Sequence, residues 1–180
     1  LDKLDQAYGI EHTCYLHHHN EWQLLIATQL SAQCTDDRVN MVTPNLFKQF
    51  PSIKAFAEAD VQDIEIAVHS TGFYRNKAKN IKACCEMLLI KHGGVVPKDV
   101  DELVRLPGVG RKTANVVIGH IHNIPAIVVD THVKRISNKL GFTTLQDPVK
   151  IEYDLMHKLP KEHWLRYNTQ IIAHGRAICT

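Results

Sequence analysis

A chain of 180 residues, 44% of them hydrophobic and 22% charged, is long enough to bury a core and suits one or two small domains. It holds no apolar run near the roughly 18 residues needed to cross a bilayer and opens on no secretory signal pattern, so membrane-spanning and exported classes are not expected. The formal net charge of +2 excludes little by itself. Five cysteines (Cys14, Cys34, Cys84, Cys85 and Cys179) are an odd count without framework spacing and point to a reducing compartment, by default the cytoplasm. The chain opens at Leu1 rather than Met, so the native N-terminus is expected to lie beyond it.

In chain order the pattern is helical almost throughout. Glu21 to Gln33 is apolar on most sides, with Trp22, Leu24, Leu25, Ile26 and Leu30, as a buried helix requires. The preceding His17-His18-His19 reads as a solvated connection, because three consecutive side chains on a helix point in different directions and make a poor metal site. Asp36 or Asp37 could cap a helix towards Phe50, with Val39, Val42, Leu46 and Phe47 inward, and Pro44 is expected to kink it or delay its start. Short helices follow near 52–58 and 61–69, the second ended by Thr71-Gly72. Lys77 to Lys91 is a longer amphipathic helix stopped by Gly93-Gly94, and Asp101 to Arg105 is a helical turn stopped by Pro107.

A helix then starts at Arg111, with Ala114, Val117, Ile118 and Ile121 on one face. Ala126 to Val129 is a β-branched run that could be extended. Asp130 caps a helix reaching Lys139, with Gly141 beyond it. Asp147-Pro148 opens another to Lys158, and Glu162 to about Ala177 forms the last. Glycine is scarce, 9 of 180, and clusters at predicted helix ends, which supports an all-α fold.

Charge is unevenly spread. Residues 1–74 hold 4 Lys/Arg against 10 Asp/Glu, residues 75–139 hold 12 against 5, and residues 140–180 hold 5 against 4. The basic third contains Arg75-Asn-Lys-Ala-Lys79 and the most informative stretch of the chain, Leu106-Pro-Gly-Val-Gly-Arg-Lys-Thr113. A basic field of this kind is the footprint of a phosphate backbone, though a solvated helix face would show the same charge. The stretch reads as a tight hairpin between two helices, in which Gly108 and Gly110 allow backbone conformations that a side chain would block. A helix starting just after Gly-Val-Gly aims unpaired N–H groups and its positive dipole end at whatever lies in front, an arrangement suited to phosphate. Lys112 sits in that first turn, where the dipole disfavours a cation and so favours the nucleophilic amine. Eighteen residues after it stands Asp130, within Val129-Asp-Thr-His132.

Leu106-Pro-Gly-Val-Gly-Arg-Lys-Thr-Ala-Asn115 followed by Val129-Asp-Thr-His132 strongly resembles the endonuclease III family, bifunctional DNA glycosylases and AP lyases of the helix-hairpin-helix superfamily. The resemblance extends over nearly the whole chain. Leu30-Ser-Ala-Gln-Cys-Thr-Asp36 resembles the segment after the family's first barrel helix, Thr71-Gly-Phe-Tyr-Arg-Asn-Lys-Ala78 its wedge loop, and His174-Gly-Arg-Ala-Ile-Cys179 the entry to its iron–sulfur loop. It implies an all-α fold of two helical domains. Residues 14–124 would form a six-helix barrel domain with the hairpin, residues 1–13 and 125–180 a second domain, and the active site would lie in the cleft between them. It also implies a monomer acting on damaged double-stranded DNA in a bacterial, nucleoid-associated setting. Gln33 would fill the space vacated by an extruded nucleotide and Phe73 would wedge into the opposite strand, where many family members carry leucine. Gly108, Gly110, Arg111 and Lys77 would contact DNA, and Asp36 and His132 are pocket candidates.

The departure lies at Cys179. The family pattern C-x6-C-x2-C-x5-C holds a 4Fe–4S cluster through four thiolates. Here only the first cysteine is present, and Cys14, Cys34, Cys84 and Cys85 lack the spacing to replace the others. The cluster is expected in the intact protein, of which this chain is expected to be a part.

The chemistry follows from the residue types. A neutral Lys112 amine could attack the sugar C1′, expel the base and leave a Schiff base, an electron sink that acidifies the C2′ proton for β-elimination. Asp130 could stabilise the oxocarbenium-like transition state or help deprotonate the amine. The alternatives are a phosphate-contacting lysine and a plain helix cap. Base choice points by resemblance to oxidised pyrimidines. Rival functions are a mismatch glycosylase that activates water, disfavoured because Leu24-Leu-Ile-Ala27 offers no carboxylate, an oxidised-purine enzyme, and a non-catalytic helix-hairpin-helix DNA-binding module.

Overall fold

The computed structural model describes residues 1–11 and 14–179, and every regular element among them is helical. The helices are α1 (Asp2–Tyr8), α2 (Glu21–Leu30), α3 (Asp36–Gln49), α4 (Ile53–Glu58), α5 (Val61–Val68), α6 (Tyr74–His92), α7 (Val100–Leu103), α8 (Arg111–His122), α9 (Thr131–Lys139), α10 (Pro148–Lys158) and α11 (Trp164–Ala177), with 3-10 turns at His69–Thr71 and Lys161–His163. They fall into two compact units, Cys14–Val117, and Leu1–Thr13 with Ile118–Thr180. The division lies inside α8. Among the described residues no helix is long and apolar enough to cross a membrane.

In the unit of residues 14–117, α2 buries every residue from Leu24 to Leu30 and so has no solvent face along its C-terminal two turns. Helices α3 and α6 pack against it, and α4 and α5 pack on α6. Phe56 is fully buried, its ring 4.9 Å from Phe50 and 6.1 Å from Trp22. Helix starts follow side-chain capping: Asn20 accepts from the Gln23 N–H at 3.0 Å, and Ser52 and Asp60 cap α4 and α5. Two expectations need correction here. Thr35, not Asp36 or Asp37, caps α3, accepting the Arg38 N–H at 3.3 Å. That cap fixes the start ahead of Pro44, and buried Val39, Thr43 and Leu46 hold the helix on both sides of the proline, which therefore lies inside it. Helix α2 ends at Leu30 rather than Gln33, because Gln33 turns into the left-handed region at φ 53.

In the other unit, Ile127, Val129, Val133, Ile136, Ile151 and Tyr167 belong to one core, and the Tyr167 hydroxyl meets Ser137 Oγ at 2.9 Å. The β-branched run Ala126–Val129 is buried but forms no ladder, since no second strand among the described residues is there to pair it. Instead the Asn168 amide donates to the Val128 carbonyl at 3.0 Å. Helix α1 has no fully buried residue; Leu4 packs partly buried against this core, and polar contacts tie the helix to α11. Asp5 accepts from Arg166 Nε at 2.9 Å and Nη2 at 3.0 Å and from Gln170 Nε2 at 2.7 Å, while Tyr8 Oη lies 2.9 Å from His174 Nδ1.

The Arg166 bond, then that of Gln170, holds the Asp5 carboxyl down to about 2 from 3.8. A carboxylate with a depressed folded-state pKa stabilises fully above its unfolded value and loses that stabilisation as pH falls through the folded value. Asp5→Asn is expected to melt below the parent at neutral pH, and the gap between the two melting temperatures to close between about pH 4 and pH 2, as followed by circular dichroism.

Candidate functional site

The hairpin is anchored by its apolar residues. Leu106 and Val109 are buried, and the Val109 N–H donates to the Leu106 carbonyl at 3.1 Å. Between them Gly108 is left-handed at φ 74, and a Cβ there would meet Gln29 Oε1 at 2.7 Å and Asn80 Cβ at 2.8 Å. Glycine at 108 is therefore needed twice over, for its backbone and for its close approach to α2 and α6. Gly110 differs from expectation: its φ is not left-handed and nothing lies within 4 Å of a Cβ there. Its glycine leaves open space at the start of α8 instead of satisfying the fold.

The first hydrogen bond of α8 runs from Ala114 N–H to the Gly110 carbonyl at 3.0 Å, so the N–H groups of Lys112 and Thr113 have no carbonyl one turn back. Arg111 is half-buried, and Lys112 is exposed with no hydrogen bond or ion pair to its ammonium among the described residues. An exposed amine beside open N–H groups can meet an anion or an electrophile.

Two further candidates share a backbone state. Gln33 (φ 53) and Phe73 (φ 48) are both left-handed and both exposed, Phe73 at 65%. A non-glycine residue in that region costs about 1–2 kcal/mol. Phe73 is also the N-cap of α6, without a side-chain capping bond. Asp36 is half-buried at the first position of α3.

Lys77 is not placed for nucleic acid. It is only 6% exposed, and its Nζ donates to the Leu30 carbonyl at 2.8 Å and the Thr71 carbonyl at 2.7 Å. The cation expected to contact DNA is spent internally instead, on two backbone carbonyls.

In the other unit Asp130 is half-buried and caps α9, one carboxylate oxygen accepting the Val133 N–H at 2.8 Å. The second oxygen takes no partner among the described residues. His132 does not stand free: its ring occupies the place of a side chain at Gly175, where a Cβ would lie 2.3 Å from Nδ1, and Arg135 Nη2 is 3.4 Å from that nitrogen.

The cysteines do not make a cluster site. No three His, Cys, Asp or Glu among the described residues converge as metal ligands. Cys179 lies with its Sγ 3.5 Å from Lys139 Nζ, and its carbonyl accepts from Arg135. Cys84 and Cys85 are buried in α6, where burial pushes the Cys84 thiol up to about 12 and Cys85 higher still, which disfavours the thiolate a metal needs. The residues present do not fit a 4Fe–4S cluster. His17-His18-His19 forms an irregular connection tied to its surroundings, with His17 N–H on Asn40 Oδ1 at 2.8 Å and His18 Nδ1 at 2.7 Å from the Leu16 carbonyl.

Gln29 and Asn80 were not anticipated. The available signal was Gln29 itself, a polar residue at a buried position of an apolar helix. Gly108→Ala is expected to cost about 1–3 kcal/mol of stability through strain and overlap with Asn80, whereas Gly110→Ala should stay within about 0.5 kcal/mol of the parent. Urea unfolding of both variants compares them, and equal losses would refute the close approach at 108.

The chain is similar to known proteins over most of its length. The HhH-GPD superfamily of base excision DNA repair proteins matches residues 26–161. Endonuclease III of Synechocystis sp. is 53% identical over 168 residues, covering 93% of this chain and 77% of that protein. Endonuclease III of Bacillus subtilis is 44% identical over 180 residues, covering 99% and 82%. Among solved structures, a trapped endonuclease III–DNA covalent intermediate superposes with a TM-score of 0.95 at 44% identity, covering 99% of this chain and 84% of that one. A thermostable thymine-DNA glycosylase, 18% identical with a TM-score of 0.82, shares the fold.

Proposed function

Because the chain belongs to the endonuclease III family of the HhH-GPD superfamily, we propose that Lys112 and Asp130 carry out its reaction, the excision of oxidised pyrimidines from duplex DNA followed by strand cleavage at the abasic site. The protein is a DNA glycosylase and AP lyase of base-excision repair, and its partner is damaged DNA. The observation that carries the residue assignment is Lys112: an exposed amine without an internal partner, in the first turn of a helix whose preceding hairpin is held by the close seat of Gly108.

Open N–H groups at the start of α8 and the space at Gly110 suit a backbone phosphate, which fixes the register of the strand without reading its sequence. Extruding the nucleotide costs a few kcal/mol, least at a damaged base. Gln33 enters the vacated space and Phe73 wedges the opposite strand. Both side chains project from short left-handed turns and are already exposed, so little must be rearranged before they stack.

Lys112 Nζ, as the neutral amine, bonds to C1′ while the bond from C1′ to the base breaks and the base leaves with a proton. As the C1′–O4′ bond opens, the nitrogen lone pair forms the C1′=N bond and the amine's one remaining proton passes to O4′, which becomes the 4′ hydroxyl. A base then removes a proton from C2′, its electron pair forms the C2′=C3′ double bond, and the 3′ phosphate departs with the C3′–O bond. The Asp130 carboxylate, held by its single capping bond, offers its second oxygen to the positive charge that develops on the sugar and to the proton of the amine. Covalent trapping of a relative on DNA supports this route. The 4Fe–4S cluster of the family has no ligand set among the described residues, and no step above passes through it.

Borohydride trapping on duplexes containing an abasic site or thymine glycol tests the assignment. Lys112→Ala is expected to lose the covalent adduct, and an adduct of undiminished yield would remove Lys112 as nucleophile. Asp130→Asn keeps a good capping residue and should leave stability within about 0.5 kcal/mol while slowing base excision by about 10²–10⁴-fold. Binding of duplex DNA without cleavage by the parent protein would favour the binding-module reading.

A further inference from the structure

We propose that Lys77 is a positioning residue that ties the Gln33 and Phe73 loops into one unit, so that the two side chains enter the duplex together. This rests on the role given above to Gln33 and Phe73. Leu30 is the last residue of α2 and Thr71 the last of a 3-10 turn, so each carries a terminal carbonyl that its own helix cannot satisfy. One ammonium serves both, at 2.8 Å and 2.7 Å. Leu30 stands three residues before Gln33 and Thr71 two residues before Phe73. The Lys77 backbone adds a third tie, its N–H donating to the Phe73 carbonyl at 3.1 Å. Thr71 is itself buried and bonded, Oγ1 to the Val68 carbonyl at 2.8 Å, so the clamp grips a fixed point and not a mobile tip.

The choice of a cation here needs a reason. Lys77 is 6% exposed and has no carboxylate partner among the described residues. Burying a charge against neutral acceptors is expensive, and burial lowers the pKa of this lysine, with Cys34 beside Gln33 opposing the shift. An apolar residue would fill the same volume of helix face without that cost. It could not bridge two helix ends, and an ammonium on a flexible stem with three donors can. Gln33 and Phe73 are also held in left-handed backbone, a state that persists only where the surroundings over-determine it. Lys77 bonds to the helix ends that precede both loops.

The test compares single-turnover cleavage of an abasic site in duplex and in single-stranded DNA, since only the duplex has to be opened. Lys77→Met is expected to lower the duplex-to-single-strand rate ratio by about 10- to 100-fold and to reduce the fluorescence change of 2-aminopurine placed opposite the lesion. Lys77→Arg, which keeps cationic donors, should recover part of both. An unchanged ratio, or equal losses on the two substrates, would overturn the proposal. Where Lys77→Met does not fold, a double-mutant cycle of Gln33→Ala and Phe73→Ala in the parent decides: a tied pair gives non-additive losses in the duplex rate, and additivity refutes the clamp. If neither single alanine lowers the ratio, the reading of Gln33 and Phe73 fails. If both lower it and Lys77→Met does not, only the clamp fails.

Discussion

The placement of the hairpin and of both proposed intercalating residues depends on the packing of α2 against α6. Gly108 seats on Gln29 from one helix and Asn80 from the other, so the hairpin that opens α8 is located by both. Gln33 follows the end of α2 and Phe73 precedes the start of α6, so the same pair of helices carries both intercalating candidates. Interiors are packed densely enough that a shift of one helix is felt along its whole length. A change in the spacing of α2 and α6 would therefore move the hairpin turn and both loops at once. Complete burial of Leu24 to Leu30 and the fully buried Ile81 on α6 are what resist such a change.

Strain is concentrated where function is proposed. Three described non-glycine residues are left-handed, and two of them are Gln33 and Phe73. Neither strain is relieved by burial of its own side chain, since both are exposed. Their backbone is fixed instead from behind, by Lys77 and by the helix ends it caps. The exposed side chains thus stay free while their supports are rigid, which is the arrangement that pre-organised binding favours.

The unit that contains Asp130 follows a different principle. Asp130 satisfies an N–H of α9 with one oxygen and keeps the other available, so a structural bond orients the carboxylate proposed to act on the sugar. Its neighbours Ile127, Val129, Val133 and Ile136 all face the core, which fixes the cap from both sides. Helix α1 joins this unit through Asp5, Arg166 and Gln170, with Leu4 only partly buried against the core. Polar docking of that kind is legible only when the partners are seen together, because Asp5 and Arg166 lie 161 positions apart in sequence.

The all-helical class, most helix boundaries, the hairpin and the spacing of Lys112 from Asp130 were all legible along the chain. Those features are local: capping residues, glycine stops and apolar periodicity act within a few positions. Gly110 and Lys77 show where local reasoning stops. Both glycines of the hairpin look alike in sequence, yet only Gly108 is pressed against other helices. Lys77 lies in a basic run and reads as a phosphate contact, yet its stem turns inward because two helix ends converge on it. Which terminal carbonyls meet, and which lysine can reach them, is set by how α2, the 3-10 turn and α6 come together. No spacing along the chain encodes that distance, and it is settled only when the helices pack.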